Sequence, residues 1–149
     1  MFDSKYFEDH EQLSFFYDKV TGLKAVIALH NTENGPAIGG CRMWPHVSME
    51  NAIDDAMRLS RGMTYKAAIS GLPLGGAKAV IIGDAQCDKS PQLLQAMGRA
   101  VDTLNGRYII AEDVGTTVAD MAEIRKTTRH VVGLPVSLGG SGDPSSGLR

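Results

Sequence analysis

Cysteine is scarce. Only Cys41 and Cys87 occur, far apart along the chain, so neither a disulfide framework nor a Cys-x-x-Cys metal or redox motif can be built. A surplus of one charge is also missing. Fifteen basic residues face seventeen acidic ones, and the net charge of -2 argues against nucleic acid or an anionic membrane as partner. No run reaches the roughly 18 uncharged apolar residues of a membrane span. Residues 1–10 are interrupted by acids and lack the basic start and apolar stretch of a secretory signal. The expected compartment is therefore the cytoplasm. The four histidines, His10, His30, His46 and His130, share no ligand spacing, and no metal is expected. No internal repeat is visible.

What is present fits one soluble domain. The chain has 149 residues, 43% of them hydrophobic and 21% charged, enough for a single core and too few for two ordinary domains. Two strand signals, 13–17 (LSFFY) and 23–30 (LKAVIALH), flank a turn at 18–22. A third strand is expected over 35–43, with glycines that suggest close approach to its backbone. Residues 48–63 predict an amphipathic helix capped by Ser48, with Met49, Ala52, Ile53, Ala56, Met57 and Ser60 at helical spacing. A short buried strand follows at 78–82. Ser90 and Pro91 start a second helix whose Leu93, Leu94, Met97, Ala100, Val101 and Leu104 share one face. Then come a strand at 108–111 and a helix over 117–129, with Val118, Met121 and Ile124 spaced for burial. This order predicts an α/β fold, a mixed and mostly parallel sheet with flanking helices. Residues 1–136 read as one domain and 137–149, rich in Gly, Ser and Pro, as a hinge or linker tail.

Three places could carry chemistry. Gly39-Gly40 after Ile38 either bare the main chain to a ligand or form a tight bend. Lys66 and Lys78 sit among small and apolar residues (TYKAAI, GGAKAVII) around a glycine-rich loop at 70–77. Most lysines are solvated surface groups. A lysine forced into such surroundings is pushed toward the neutral amine by desolvation and by a second lysine nearby, and becomes a base or half of an anion site. Glu112-Asp113 end a strand signal, where α/β domains bind ligands. One acid could instead cap the next helix, but Thr116 or Thr117 can do that, which leaves Asp113 without a local task. The run Gly139-Gly140-Ser141-Gly142 lacks the following helix of a phosphate-binding loop.

Taken together, GPAIGGCRMW (35–44), RLSRGMTYKAAISGLPLGGAKAVI (58–81) and GRYIIAEDVGTT (106–117) strongly resemble the N-terminal, substrate-binding domain of the Glu/Leu/Phe/Val dehydrogenases, the leucine/phenylalanine/valine type above all. The resemblance runs from about Lys5 to Ser145. It implies NAD-dependent oxidative deamination of an L-amino acid to a 2-oxo acid and ammonia. By the same resemblance, Lys66 binds the substrate carboxylate, Lys78 is the general base, and Asp113 exchanges protons with the amine. Gly39 and Gly40 give main-chain contacts, Met63 packs beside the site, and Ile38 and Ala111 floor the side-chain pocket. Where related glutamate dehydrogenases resemble one another in a lysine before the glycine pair, this chain has Ile38. An apolar substrate is implied: Leu, Val, Ile, Phe or Trp. A homo-oligomer is implied too. The family's Rossmann domain for NAD is absent from these 149 residues, so the chain alone is expected to bind no NAD and to be inactive. The competing reading is a non-catalytic oligomerisation or small-molecule-binding module of the same fold. Convergence of Lys66, Lys78 and Asp113 on one cleft would separate the two.

Overall fold

A hairpin opens the sheet. β1 (Gln12–Asp18) and β2 (Leu23–Asn31) pair antiparallel across the 18–22 turn. There the Thr21 hydroxyl donates to the Asp18 carboxylate at 2.7 Å and the Gly22 N–H to the Asp18 carbonyl at 2.8 Å. The computed structural model describes residues 2–7 and 9–134, so the expected tail at 137–149 lies outside the described residues. β3 (Ala37–Trp44), β4 (Gly75–Ile82) and β5 (Tyr108–Glu112) complete a five-stranded sheet in the order β1-β2-β4-β3-β5. β3 pairs parallel with both β4 and β5, while β2 opposes its neighbours β1 and β4. Four strands therefore run one way and β2 alone runs against them, a mixed sheet of the expected kind.

The helices cover both faces. Along β2, Ala25, Ile27 and Leu29 join the core formed with α2 (Pro91–Asp102) and α3 (Val118–Arg125), and Val26 and Ala28 join the core under α1 (Met49–Ile69). Successive strand residues point to opposite faces, so a strand buried on both sides reads as an unbroken apolar run. The α2 side holds large residues such as Leu93, Met97, Met121 and Ile124. Each contributes about 1.5–3 kcal/mol on burial. The α1 side is lined by alanine and valine, which lets that helix lie close to the sheet.

Helix ends follow local chemistry. The side chains of Ser48, Ser90 and Thr117 cap α1, α2 and α3 by accepting N–H groups at 3.1 Å each. These bonds satisfy donors that a helix start leaves unpaired. α1 runs six residues past its expected end at Met63, because the following TYKAAI continues helical and Gly62 borders open space. Its stop is Gly71, whose φ of +69° suits glycine, with Leu72 N–H returning to the Ala67 carbonyl at 3.1 Å. α3 is shorter than expected. Thr127 turns its hydroxyl to the Gln95 carbonyl at 2.7 Å, and Val118 is only half-buried. Met49, expected on the apolar face of α1, is exposed. Part of the expected loop at 70–77 belongs to β4, which begins at Gly75.

This topology has a switch in the direction of its connections. The chain leaves β3 through α1 to β4 on one side, and leaves β4 through α2 on the opposite face to β5 on the other side. Connections that diverge in this way leave a gap beyond the strand ends, where open α/β sheets bind ligands.

Candidate active site

Lys78 lies in the middle of β4 on the face under α1. Its neighbours on that face fix the direction. A Cβ on Gly76 would meet the Thr64 backbone nitrogen of α1 at 2.1 Å, and Val80 packs with Ala52 and Ala56 of α1. Lys78 is 6% exposed. Its Nζ stands 2.6 Å from Asp113 Oδ2. Residues 35 positions apart in sequence thus meet because β4 and β5 flank β3.

Asp113 is the first residue beyond β5, and a small turn holds it. Its N–H donates to the Thr116 hydroxyl at 2.9 Å, and that hydroxyl donates to the Cys41 carbonyl at 2.7 Å on β3. The same carboxylate oxygen that meets Lys78 accepts from Arg42 Nε at 3.2 Å. Burial pushes the Asp113 carboxyl up. The hydrogen bond and charge of Lys78, the Val114 N–H and the charge of Arg42 outweigh it and hold the group below the usual carboxylate range.

The glycine pair makes room for this arrangement. A Cβ on Gly39 would stand 1.7 Å from the Ala77 carbonyl, and one on Gly40 would stand 2.7 Å from Asp113 Cβ. Gly40 pairs with Ala111 of β5, which is buried. The Gly39 carbonyl accepts from the buried Tyr108 hydroxyl at 2.8 Å.

Lys66 is exposed on the last turn of α1. With Ile38, Met63, Ala67, Ser70 and Leu72 it lines a small cavity. Ile38 pairs with Gly76, two residues before Lys78, so both lysines stand on the same side of the sheet. A larger cleft of about 570 Å³ lies at the far ends of α2 and α3, lined in part by Asp102, Arg125, Arg129 and His130. It is polar and shares no residue with the Lys78 pair.

Sequence reading had no route to Arg42, Asp55, Tyr108 or Thr116 as parts of the site, since none has a telling local context. Cys41 is fully buried, and desolvation pushes its thiol up to about 12. It is a packed residue and no nucleophile. His10 and His30 meet with ring centroids 4.7 Å apart, and His10 Nε2 lies 2.7 Å from the Ser60 hydroxyl. No trio of potential metal ligands occurs among the described residues. Nor does any described helix have the length and apolarity to cross a membrane.

The profile described as Glu/Leu/Phe/Val dehydrogenase, dimerisation domain, matches residues 10–130. The chain belongs to this dehydrogenase family. A leucine dehydrogenase of Bacillus cereus is 58% identical over 137 residues, 92% of this chain and 37% of that protein. A phenylalanine dehydrogenase of Bacillus thermotolerans is 51% identical over 92% of this chain and 36% of its own length. The crystal structure of L-tryptophan dehydrogenase from Nostoc punctiforme superposes with a TM-score of 0.81 at 49% identity, covering 83% of this chain and 37% of that one. This dehydrogenase-family chain thus spans little more than a third of the length of the relatives it matches. The matched residues include Lys66, Lys78 and Asp113.

Proposed function

We propose that this chain is the substrate-binding and catalytic half of an NAD-dependent dehydrogenase that oxidatively deaminates an apolar L-amino acid to a 2-oxo acid and ammonia. The observation that carries the reading is the 2.6 Å contact between the buried Lys78 and Asp113, with a second lysine on the same side of the sheet. A module that only assembles has no physical need to bury such a pair.

In this reading the exposed Lys66 ammonium takes the substrate carboxylate, and Gly39 and Gly40, which the resemblance makes main-chain contacts, let Ala77 and Asp113 approach β3 closely. Met63 packs against the bound substrate. Ile38 and Ala111 floor the pocket for the side chain. Ile38 offers a charged substrate side chain no partner, and desolvating that charge costs several kcal/mol. Asp113 exchanges a proton with the substrate amine, and its negative charge favours the cationic intermediate. Lys78 then takes a proton from the water that adds to the substrate carbon. NAD serves as hydride acceptor. The described residues contain no strand–glycine-loop–helix unit for its pyrophosphate. We therefore assign cofactor binding to a further domain, and residues 1–136 to the substrate and to assembly.

Self-association is part of the proposal. It is supported by the family description as a dimerisation domain and by the edge strand β1, where Phe15 and Tyr17 are exposed. We place the protein in the cytoplasm, in keeping with its two free cysteines.

The test is kinetic and uses the full-length protein. Lys78→Met and Asp113→Asn are each expected to lower kcat for leucine or phenylalanine oxidation by about 10²–10⁴-fold. Turnover near the wild-type rate in either variant would remove the basis of the proposal.

A further inference from the structure

Asp113 does not face Lys78 alone. Its Oδ2 also takes the Arg42 Nε hydrogen bond at 3.2 Å, from the strand between the two strands that carry the pair. Arg42 in turn reaches back to α1, where its Nη1 lies 3.8 Å from Asp55 Oδ2. Asp55 is itself fixed on two further sides, by His46 Nε2 at 2.8 Å and by Arg58 Nη2 at 3.3 Å. Burial raises the Asp55 carboxyl, but the hydrogen bonds and charges of His46 and Arg58 prevail and keep it below its ordinary range. The result is a line of alternating charge, Lys78, Asp113, Arg42, Asp55, that crosses from β4 to α1.

We propose that Arg42 is a positioning residue for the Lys78–Asp113 pair, a permanent cation that keeps Asp113 ionised and in place when Lys78 is a neutral amine, with Asp55 holding Arg42 in that position. This rests on the roles assigned above to Lys78 and Asp113. The physical conflict it resolves is simple. A carboxylate stands 2.6 Å from the Lys78 nitrogen, yet a base acts as the neutral amine. A second cation on the same oxygen shares the carboxylate's charge and weakens its hold on the ammonium. Arg suits the task because it stays protonated at any working pH. Other groups near this line of charge are the following. Cys41 on β3 has its thiol pushed up to about 12 and is neutral. On α1, Asp55 and Arg58 stand on the Arg42 side, with His46 from the segment before the helix, and β2 sets the uncharged Ala28 opposite Lys78.

The experiment compares Arg42→Gln and Arg42→Met, which remove the charge, with Arg42→Lys, which keeps it, in the full-length protein oxidising an apolar L-amino acid. Both charge-removing variants are expected to lower kcat about 10- to 100-fold with a smaller change in KM. They should also move the rising limb of kcat/KM against pH upward by about half a unit or more. Arg42→Lys is expected to return the limb to its wild-type position. A limb that stays in place in Arg42→Gln and Arg42→Met, or a lysine variant no better than glutamine, overturns the proposal. So does a result in which only Arg42→Lys folds, since Arg42 would then serve stability alone. Lys78→Met and Asp113→Asn are assayed alongside. If they abolish turnover while the Arg42 variants are silent, the Arg42 proposal alone falls. If they retain turnover, the reading of the site falls with it.

Discussion

At the scale of single residues, the chemistry of this chain depends on burial as much as on identity. Asp113 is one of seventeen acids and is distinguished by what surrounds it. Its carboxyl is held below the usual range by Lys78, the Val114 N–H and Arg42, against the opposing effect of burial. A group with a depressed folded value adds stability above its unfolded value, about 3.9 for aspartate, and that stability is lost as pH falls through the folded value. The wild-type chain is therefore expected to lose stability more steeply than Asp113→Asn as pH falls from about 5 to about 3. Urea midpoints measured across that window check this, and equal slopes would contradict the proposed coupling.

At the scale of elements, the contact between α1 and β4 sets the site, because it decides which face Lys78 and Lys66 share. Two glycines report on that contact in opposite directions. A Cβ on Gly76 would stand 2.1 Å from the Thr64 backbone nitrogen and 2.5 Å from the Ser60 carbonyl oxygen. Backbone cannot yield as a flexible side chain does, so Gly76→Ala must lift the helix and is expected to cost at least about 1–3 kcal/mol. Gly62, in the interior of α1, has nothing within 4 Å of such a Cβ. Gly62→Ala is expected to stabilise by about 0.5–1 kcal/mol. Urea unfolding of both variants reads the difference, and a neutral Gly76→Ala would mean that α1 does not sit where the geometry puts it.

At the scale of the whole molecule, two surfaces point beyond the fold. β1 ends the sheet and exposes Phe15 at 47% and Tyr17 at 68%. An unpaired edge carrying exposed aromatics is a natural place for a second copy. Phe15→Glu is expected to shift the assembly to a smaller species, and light scattering after size-exclusion chromatography measures it. The face of the sheet under α1 is the other. It carries the proposed proton-transfer groups, but the described residues offer no cradle for a dinucleotide. Purified as these 149 residues, the chain is expected to produce no NADH from NAD and leucine. Absorbance at the NADH band checks this, and measurable turnover would refute the division of labour.

The sequence alone was enough for the order of elements, the helix caps at Ser48 and Ser90, and the buried face of α2, because these depend on neighbours one to four positions away; for α3 it left the cap open between Thr116 and Thr117, and the structure uses Thr117. It also singled out Lys66, Lys78 and Asp113 as residues in unusual contexts, and the blocks that contain them carried the family resemblance. It missed the true end of α1, expected at Met63, since the helix runs on to Ile69 and stops at Gly71. The partnership of Lys78 with Asp113, the Arg42–Asp55 line behind it and the meeting of His10 with His30 were decided only by the tertiary structure. Such pairings depend on strand order and on which face of a helix meets the sheet. Charged side chains many positions apart leave no periodic trace of the contact they make in space.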